Sequence, residues 1–267
     1  MEYKILNNGL KLPIVGFGTW DVRGNTGIKT LLKALECGYR LIDTAAMYQN
    51  EDIVGAAIKD FQLLRQELFI TSKIYRPDTD YQSACKSIER SLNELQTDYL
   101  DLILIHEPYK SSCDIYEAMI EAYKQGKVKA VGVSNFSKEF YLNFIKETKV
   151  IPAVNQVESH VYYPQLELNE CLRTHGTLMQ SWGSFTEGTK DIFNEPILVE
   201  IALKHHKSSA QIALRYLVQN GIAVIPKSSS VSRMKENLEI FDFSLDESDL
   251  KKIETLDTGK SLFNWYS

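Results

Sequence analysis

The stretch Tyr39–Tyr48, YRLIDTAAMY, has the pattern of a buried β-strand that is followed by a polar turn. Its apolar run ends in a carboxylate, Asp43, and the turn delivers a phenol, Tyr48, five residues further on. A strand that is apolar on both faces is typical of a parallel sheet covered by helices. The stretch therefore predicts an α/β fold, and it marks the carboxyl end of one strand as a candidate site.

Strand candidates of this kind recur along the whole chain, separated by stretches whose apolar residues have helical spacing. They are LPIVGFGTW (12–20), YRLIDTA (39–45), LFITSKI (68–74), LDLILIH (100–106), AVGVSN (130–135), AVNQVE (153–158), TLMQSWG (177–183) and IAVIPKS (222–228). In one of the intervening helices, SACKSIERSLNEL, the residues Ala84, Ile88, Leu92 and Leu95 share a face. Eight strand-helix units in 267 residues match a (β/α)8 TIM barrel.

The chain shows no Pro-, Gly- or Ser-rich linker, so we expect residues 1–267 to form a single barrel domain. The same alternation also fits an open doubly wound sheet. A dinucleotide-binding sheet of that type needs the motif GxGxxG, but the segment GFGTWD has Asp21 at the third glycine position. A strand bend or the close approach of another backbone explains Gly16 and Gly18 equally well.

The opening segment MEYKILNNGLKLP shows apolar alternation on both sides of Asn-Asn-Gly. Asn and Gly tolerate positive φ, so this tripeptide favours a two-residue hairpin turn. We place the resulting β-hairpin across the N-terminal end of the barrel, where it closes the bottom.

The composition indicates an ordinary globular protein, with 44% hydrophobic residues, 24% charged residues and a net charge of -5. An acidic chain is a poor partner for nucleic acid, and no apolar run approaches the ~18 residues of a membrane span. The N-terminus lacks the regions of a signal peptide, so we expect a cytoplasmic protein and, by default, a monomer. The cysteines, Cys37, Cys85, Cys113 and Cys171, form no CxxC pair, and free thiols are expected.

Polar residues end three of the buried strands. Asp43, Lys73 and His106 each follow an apolar run, and Tyr48 lies on the loop after the second strand. In a barrel the carboxyl ends of the strands share one rim, so these four side chains are expected to converge. Taken singly, each has a plainer explanation: a turn cap, a packing aromatic, a solvated strand end and an interior histidine. Their coincidence on one rim favours a site.

The four residue types together make a proton donor. A nearby ammonium, Lys73, is expected to lower the pKa of the Tyr48 phenol, and Asp43 would hold that ammonium charged. His106 would position a substrate oxygen beside the phenol. Such a site protonates an oxygen that is becoming an alkoxide, which is what carbonyl reduction with a hydride-donating cofactor requires.

Motifs along nearly the whole chain resemble those of the aldo-keto reductases. They are GFGTW, LIDTAAMYQNE, FITSKI, LDLILIH, KVKAVGVSNF, NQVE, IPKSSSVSRMKENLEIFDF and LDTGKS. The resemblance implies a (β/α)8 barrel that uses NADPH to reduce aldehydes or ketones. It makes Asp43, Tyr48, Lys73 and His106 a catalytic tetrad with Tyr48 as general acid. The chain is most similar to the short microbial-type members, which reduce methylglyoxal, diketo-sugar acids, aromatic aldehydes or prostaglandin precursors.

The resemblance also assigns cofactor contacts. Ser134, Asn135 and Gln156 match residues that bind the nicotinamide carboxamide, and Trp182 matches an aromatic that stacks on the nicotinamide ring. Thr19 and Asp21 would approach the ribose and diphosphate.

The segment IPKSSSVSRMKEN indicates an anion site on physical grounds, because Lys227, three serines and Arg233 gather at the start of a predicted helix. In the family, residues matching Lys227, Ser228 and Arg233 hold the 2′-phosphate of NADP, and Glu236 and Asn237 lie near adenine. NADPH is therefore expected over NADH. A solvated basic patch, the plainer explanation, predicts no preference.

The chain departs from the family at two loops. It has SWGSFTEG where many members have SPL after the seventh strand, which weakens assignments to Gly183, Ser184 and Phe185. It has Glu107 and Pro108 where many members have Trp-Pro, which favours small or polar substrates. With a short C-terminal segment the pocket is expected to be open. Trp20 and Glu107, together with Trp265, would line it.

Two other functions remain open at this point. A metal-dependent hydrolase could use Asp43, His106, Glu107 and His160, although such barrels bring an HxH pair that this chain lacks, and we expect no metal. His205 and His206 are adjacent in a helical pattern and point apart. The second alternative is an NADPH-binding sensor with little turnover. Otherwise the only partner expected is a small carbonyl substrate.

Overall fold

Eight short parallel strands form the centre of the computed structural model, which describes residues 2–264. They are β3 (Phe17–Gly18), β4 (Leu41–Asp43), β5 (Phe69–Ile74), β6 (Leu102–Ile105), β7 (Val131–Ser134), β8 (Val154–Glu158), β9 (Leu178–Trp182) and β10 (Ala223–Val224), and they pair in sequence order. A parallel bridge between Val15 and Val224 joins the first strand to the last. The amide of Gly16 donates to Val224 O at 2.8 Å across this seam. The predicted (β/α)8 TIM barrel is confirmed.

Ten α-helices surround the strands in the described part of the chain. They are α1 (Gly24–Glu36), α2 (Glu51–Phe61), α3 (Tyr81–Glu94), α4 (Ser112–Lys124), α5 (Lys138–Thr148), α6 (Leu166–Thr174), α7 (Pro196–His205), α8 (Ser209–Gln219), α9 (Val231–Leu238) and α10 (Glu247–Glu254). One helix follows each strand from β3 to β8, whereas two helices follow β9 and two follow β10. No helix within residues 2–264 is long and apolar enough to cross a membrane.

The N-terminal hairpin, β1 (Tyr3–Ile5) and β2 (Lys11–Pro13), is present, but its turn is longer than predicted. Leu6 N donates to Leu10 O, and Gly9 N donates to Leu6 O with Gly9 at φ +86°. Only Gly9 adopts positive φ, so the connection is a three-residue loop rather than a two-residue turn. The asparagines are left free to bind neighbouring backbone.

Those asparagines fix the hairpin to the bottom of the barrel. Asn8 Nδ2 donates to Lys129 O at 2.8 Å, and Asn7 Nδ2 donates to Ile151 O at 3.2 Å. Both acceptors precede barrel strands, β7 and β8, so the contacts lie at the amino ends of the strands. The hairpin covers the bottom, as expected, and leaves the opposite rim for a site.

The core lies inside the barrel and between the strands and helices. All residues of β5 and β6 are buried, as expected for strands covered on both faces. On α3 the predicted face of Ala84, Ile88 and Leu92 is buried, and Asp80 caps the helix by accepting from Ser83 N. The four cysteines are free thiols.

Candidate active site

The carboxyl rim of the barrel brings together the residues that end the strands. Asp43 is the last residue of β4, Lys73 lies one residue before the end of β5, and His106 directly follows β6. Tyr48 ends a short 3-10 helix after β4 and lies beside Lys73. The expected convergence of these four side chains is therefore present.

Lys73 is the centre of this group. The residue is only 1% exposed, and its ammonium is surrounded by oxygen acceptors. Nζ donates to Asp43 Oδ1, to Thr44 O at 3.0 Å and to the Tyr48 hydroxyl at 3.2 Å. Three donors and three acceptors satisfy the ammonium completely, which is the condition for keeping a charge in the interior.

Asp43 and Lys73 form a buried ion pair. Burial raises the pKa of Asp43 above its usual value, and the Lys73 ammonium and the hydrogen bond from Gln156 offset only part of this rise. Burial disfavours the charged form of Lys73, but Asp43 and the Tyr48 oxygen raise its pKa above the usual value. Lys73 therefore stays an ammonium at neutral pH, and Asp43 is held against it by the ion pair and by the hydrogen bond from Gln156.

The phenol of Tyr48 is less acidic than the sequence predicted. Burial raises its pKa, and this outweighs the lowering by Lys73, while Asp43 and Glu187 add to the rise. The effect of Lys73 has the predicted direction, but desolvation is the larger cause. Tyr48 thus keeps its proton at neutral pH. Because Lys73 donates to the phenol oxygen, the phenol hydrogen is free to be given to another acceptor.

His106 is neutral and faces the same space. Burial and the nearby Lys73 lower its pKa well below the usual value. Its ring contacts Tyr48 and Tyr75 edge to face, with centroids 5.7 and 5.2 Å apart. A neutral imidazole can donate a hydrogen bond to a substrate oxygen without bringing a second cation into the pocket.

The amide-bearing residues on the next strands are linked to this group. Gln156 Nε2 donates to Asp43 Oδ2 at 2.7 Å and to Gln180 Oε1 at 2.8 Å. Asn135 Nδ2 donates to His106 O at 3.0 Å, and Trp182 Nε1 donates to Asn135 Oδ1 at 2.7 Å. Ser134 Oγ, on β7, donates to the backbone oxygen of Gln156 at 2.7 Å. One hydrogen-bond network therefore runs across the rim from β4 to β9.

A cavity of about 400 Å³ opens above these residues. Its lining includes Thr19, Trp20, Asp21, Asp43, Tyr48, His106, Ser134, Asn135, Gln156, Trp182, Gly183, Ser184, Phe185, Glu187 and Lys227. Trp20 packs on Tyr48 with ring centroids 5.0 Å apart. Glu107 is not part of this lining, because its carboxylate pairs with Arg76 at 3.2 Å outside the cavity. Trp265 lies outside the described residues.

The predicted anion-binding segment lies at one end of the cavity. Lys227 lines it, Ser230 is at the N-cap position of α9 without a side-chain capping bond, and Arg233 is exposed in the first turn of that helix. Ser228 Oγ accepts from Ser230 N at 3.1 Å. Of the remaining two predicted residues, Glu236 accepts from Ser208 Oγ, and Asn237 is buried.

Sequence reasoning missed three polar residues around the cavity. Gln180 is buried on β9 and binds Gln156. Asn50 is buried under the loops and donates to Thr19 O at 2.8 Å. Glu187 lines the cavity from a left-handed backbone position with φ 46°. A buried amide within an apolar strand could have revealed Gln180, but the other two depend on contacts between distant segments.

Within residues 2–264, His, Cys, Asp and Glu side chains form no group of three that could hold a metal ion. His160, considered above as a ligand, instead contacts Glu158 with Nε2 3.1 Å from Oε1. His205 contacts Asp249 at 2.7 Å on the outside of the barrel. The Asp43 carboxylate and the Tyr48 phenol both contact Lys73, and the His106 imidazole lies beside Tyr48, a set of groups that suits proton transfer.

Comparison with known proteins gives the class of this barrel, an oxidoreductase of the aldo/keto reductase type. The sequence model of the Aldo/keto reductase family matches residues 14–258, and the chain belongs to that family. It is 42% identical over 253 residues to the glyoxal reductase of Bacillus subtilis (strain 168), covering 94% of this chain and 91% of that relative.

Two solved structures show the same similarity. MGS-M4, an aldo-keto reductase enzyme from a Medee basin deep-sea metagenome library, superposes with a TM-score of 0.94 at 39% identity, covering 97% of both chains. A variant of Gox0644 in complex with NADPH superposes with a TM-score of 0.90 at 34% identity, covering 96% of this chain and 93% of that chain.

Proposed function

We propose that this protein reduces small aldehydes or ketones to alcohols with NADPH and that Tyr48 is the general acid. The observation that carries the proposal is the buried ammonium of Lys73, which donates at once to Asp43 and to the Tyr48 hydroxyl. This contact leaves the phenol proton as the one that the site can give away.

The cavity fits the nicotinamide end of such a cofactor. Its 400 Å³ lies within the range of small-molecule sites, and its wall combines an indole, Trp182, with hydroxyl and amide groups. Ser134, Asn135 and Gln156 would hold the carboxamide, Trp182 would face the ring, and Thr19 and Asp21 would lie along the ribose and diphosphate. When bound, the cofactor supplies the hydride.

The protein residues do the remaining chemistry. His106 donates to the carbonyl oxygen and orients it beside Tyr48. As negative charge develops on that oxygen, the Tyr48 hydroxyl gives it a proton, and Lys73 stabilises the phenolate that remains. Asp43 holds Lys73 in place and balances its charge. Trp20 packs edge to face on Tyr48 and forms the wall of the cavity beside the reacting atoms.

The cationic segment after β10 supports NADPH over NADH. Lys227 on the cavity wall and Arg233 at the start of α9 provide charge, and the helix N-terminus adds its dipole. These groups match a phosphomonoester such as the 2′-phosphate, and NADH has none. A relative, the glyoxal reductase of Bacillus subtilis, is named for a small dicarbonyl substrate. Small dicarbonyls and polar aldehydes are the substrates we propose.

The test is oxidation of NADPH, followed at 340 nm, with a panel of aldehydes from methylglyoxal to nitrobenzaldehyde, with and without a chelator. We expect chelator-insensitive turnover that Tyr48→Phe reduces by about 10²- to 10⁴-fold, the usual contribution of a general acid. NADPH binding, measured by quenching of tryptophan fluorescence, is expected to be unchanged in that variant. Full activity of Tyr48→Phe would remove Tyr48 from the role, and NADPH binding without any reduction would favour a sensor.

A further inference from the structure

Glu158, the last residue of β8, is a buried carboxylate that the proposed reaction does not use. It is 0% exposed, and its two oxygens receive three contacts. Oε1 accepts from Leu262 N at 2.7 Å and lies 3.1 Å from His160 Nε2, while Oε2 accepts from Ser261 Oγ. Two of the three partners lie more than 100 residues further along the chain. Glu158 therefore binds residues 261–262 to the carboxyl rim.

The hydroxyl of Ser261 continues this contact into the following residues. Ser261 Oγ accepts from Phe263 N at 3.1 Å and from Asn264 N at 3.0 Å. The tight turn that results places the Phe263 ring 5.2 Å from the Trp182 ring, centroid to centroid. On its other side Trp182 donates to Asn135. The orientation of the indole is thus set from two directions.

The charge on Glu158 makes the contact strong. Burial disfavours the carboxylate, but hydrogen bonds from His160, Ser261 and Leu262 lower its pKa overall. Among the described residues His160 Nδ1 is buried without a hydrogen-bond partner, so the imidazole contacts Glu158 through Nε2. A buried carboxylate that accepts several hydrogen bonds loses much when one donor is removed.

We propose that Glu158, Ser261 and Leu262 form a clasp that holds Phe263 against Trp182, so that Glu158 and Ser261 act as positioning residues for the indole on which the cofactor rests. The inference rests on the proposed function for the identity of the cofactor. An indole that is already oriented loses little freedom on binding, so the clasp tightens NADPH binding and slows its release.

The test compares Ser261→Ala with Ser261→Thr, which keeps the hydroxyl. We expect Ser261→Ala to raise the Kd and KM for NADPH roughly three- to tenfold. One or two side chains, Trp182 and Phe263, would then have to be ordered when the cofactor binds. Its kcat at saturating NADPH is expected to stay at the wild-type level or rise. In the cofactor-free protein, the amides of residues 262–264 should exchange with deuterium faster in Ser261→Ala than in Ser261→Thr. Glu158→Met, which removes the acceptors, should have the larger effect if it folds.

The outcomes separate the clasp from the proposed function. Unchanged amide exchange and unchanged Kd in Ser261→Ala would overturn the clasp, and so would equal losses in Ser261→Ala and Ser261→Thr, because the hydroxyl would then be irrelevant. A wild-type protein that binds no NADPH would overturn both the proposed function and the role of the clasp in cofactor binding. Faster exchange with weaker NADPH binding in Ser261→Ala alone is the result that supports it.

Discussion

Lys73 is the residue on which the candidate site depends, because one buried ammonium touches both a carboxylate and a phenol. Burial by itself would strip the charge from such a lysine, but the Asp43 carboxylate and the Tyr48 oxygen restore it. The same burial keeps the proton on Tyr48. Desolvation and charge pairing therefore shift each pKa in opposite directions. Pairing is the larger effect for Lys73, and desolvation is the larger effect for Tyr48.

The raised pKa of Tyr48 predicts the pH dependence of carbonyl reduction. A general acid works only while protonated, so a raised pKa extends activity upward in pH. We expect kcat/KM for the aldehyde to stay flat through neutral pH and to fall only above about pH 10, the ordinary value for tyrosine. Rates measured from pH 6 to 11 would show this, and a decline that begins near pH 8 would contradict it.

Lys227 predicts a difference between the two nicotinamide cofactors. Lys227→Ala removes a cation from the cavity wall, and we expect the KM for NADPH to rise at least tenfold while the KM for NADH changes little. Lys110→Ala, at an exposed loop position on the same rim, serves as the control for a general loss of charge. An equal rise for both cofactors would mean that Lys227 makes no contact with a 2′-phosphate.

The loops after β3 and β4 are joined by a single buried side chain. Asn50, next to the first residue of α2, donates to Thr19 O and to Val22 O at 3.1 Å, and it accepts from Thr44 Oγ1 at 2.7 Å. This contact holds the segment that carries Trp20 beside the one that carries Tyr48. Two loops of the site therefore behave as one element.

Asn50→Ala would take away the acceptor of the buried Thr44 hydroxyl, while Thr19 O and Val22 O would each keep one other donor, Val22 N and the Arg23 guanidinium. We expect it to lower the free energy of unfolding by roughly 1–3 kcal/mol, the cost of one unsatisfied buried group. Urea denaturation measures this, with Asn93→Ala, an exposed position on α3, as the control. A loss as small as that of the control would show that water replaces the amide without cost.

The strands could be predicted because their apolar pattern is local in the sequence. Features that depend on contacts between distant segments were harder to predict. Eight strands and the convergence of Asp43, Lys73 and His106 follow from apolar runs and from the shared rim of parallel strands. The hairpin turn was one residue longer than predicted, because Asn7 and Asn8 bind remote backbone instead of taking positive φ. The burial that dominates the Tyr48 pKa is a property of the assembled site.

Polar contacts between residues far apart in sequence could not be predicted either. Gln156 reaches Asp43 across 113 residues of sequence, and Leu262 reaches Glu158 across 104. No local pattern marks such pairs, since they exist only after the barrel closes. The expectations of one domain, a monomer and a cytoplasmic location stay predictions.

Barrel closure requires a glycine at the seam between β3 and β10. A Cβ on Gly18 would lie 2.7 Å from Ile225 O, a backbone atom that cannot move aside cheaply. We expect Gly18→Ala to lower the thermal midpoint by several degrees, the usual result of overpacking by about 1–3 kcal/mol. Gly24→Asn, at an open position with φ +53° that Asn tolerates, is the control. An unchanged midpoint for Gly18→Ala would show that the seam relaxes freely.

That seam has a further consequence for the shape of the cavity. β3 and β10 have only two residues each, whereas β5 has six. Few backbone hydrogen bonds therefore join β3 to β10. Thr19, Trp20 and Asp21 leave the rim on one side of this join, and Lys227 leaves it on the other. The relative position of these two walls is therefore set mainly by buried side chains at the seam, among them Val15, Phe17 and Val224, and less by a ladder of backbone hydrogen bonds. A change in the packing of this seam is expected to alter the width of the cavity between Trp20 and Lys227.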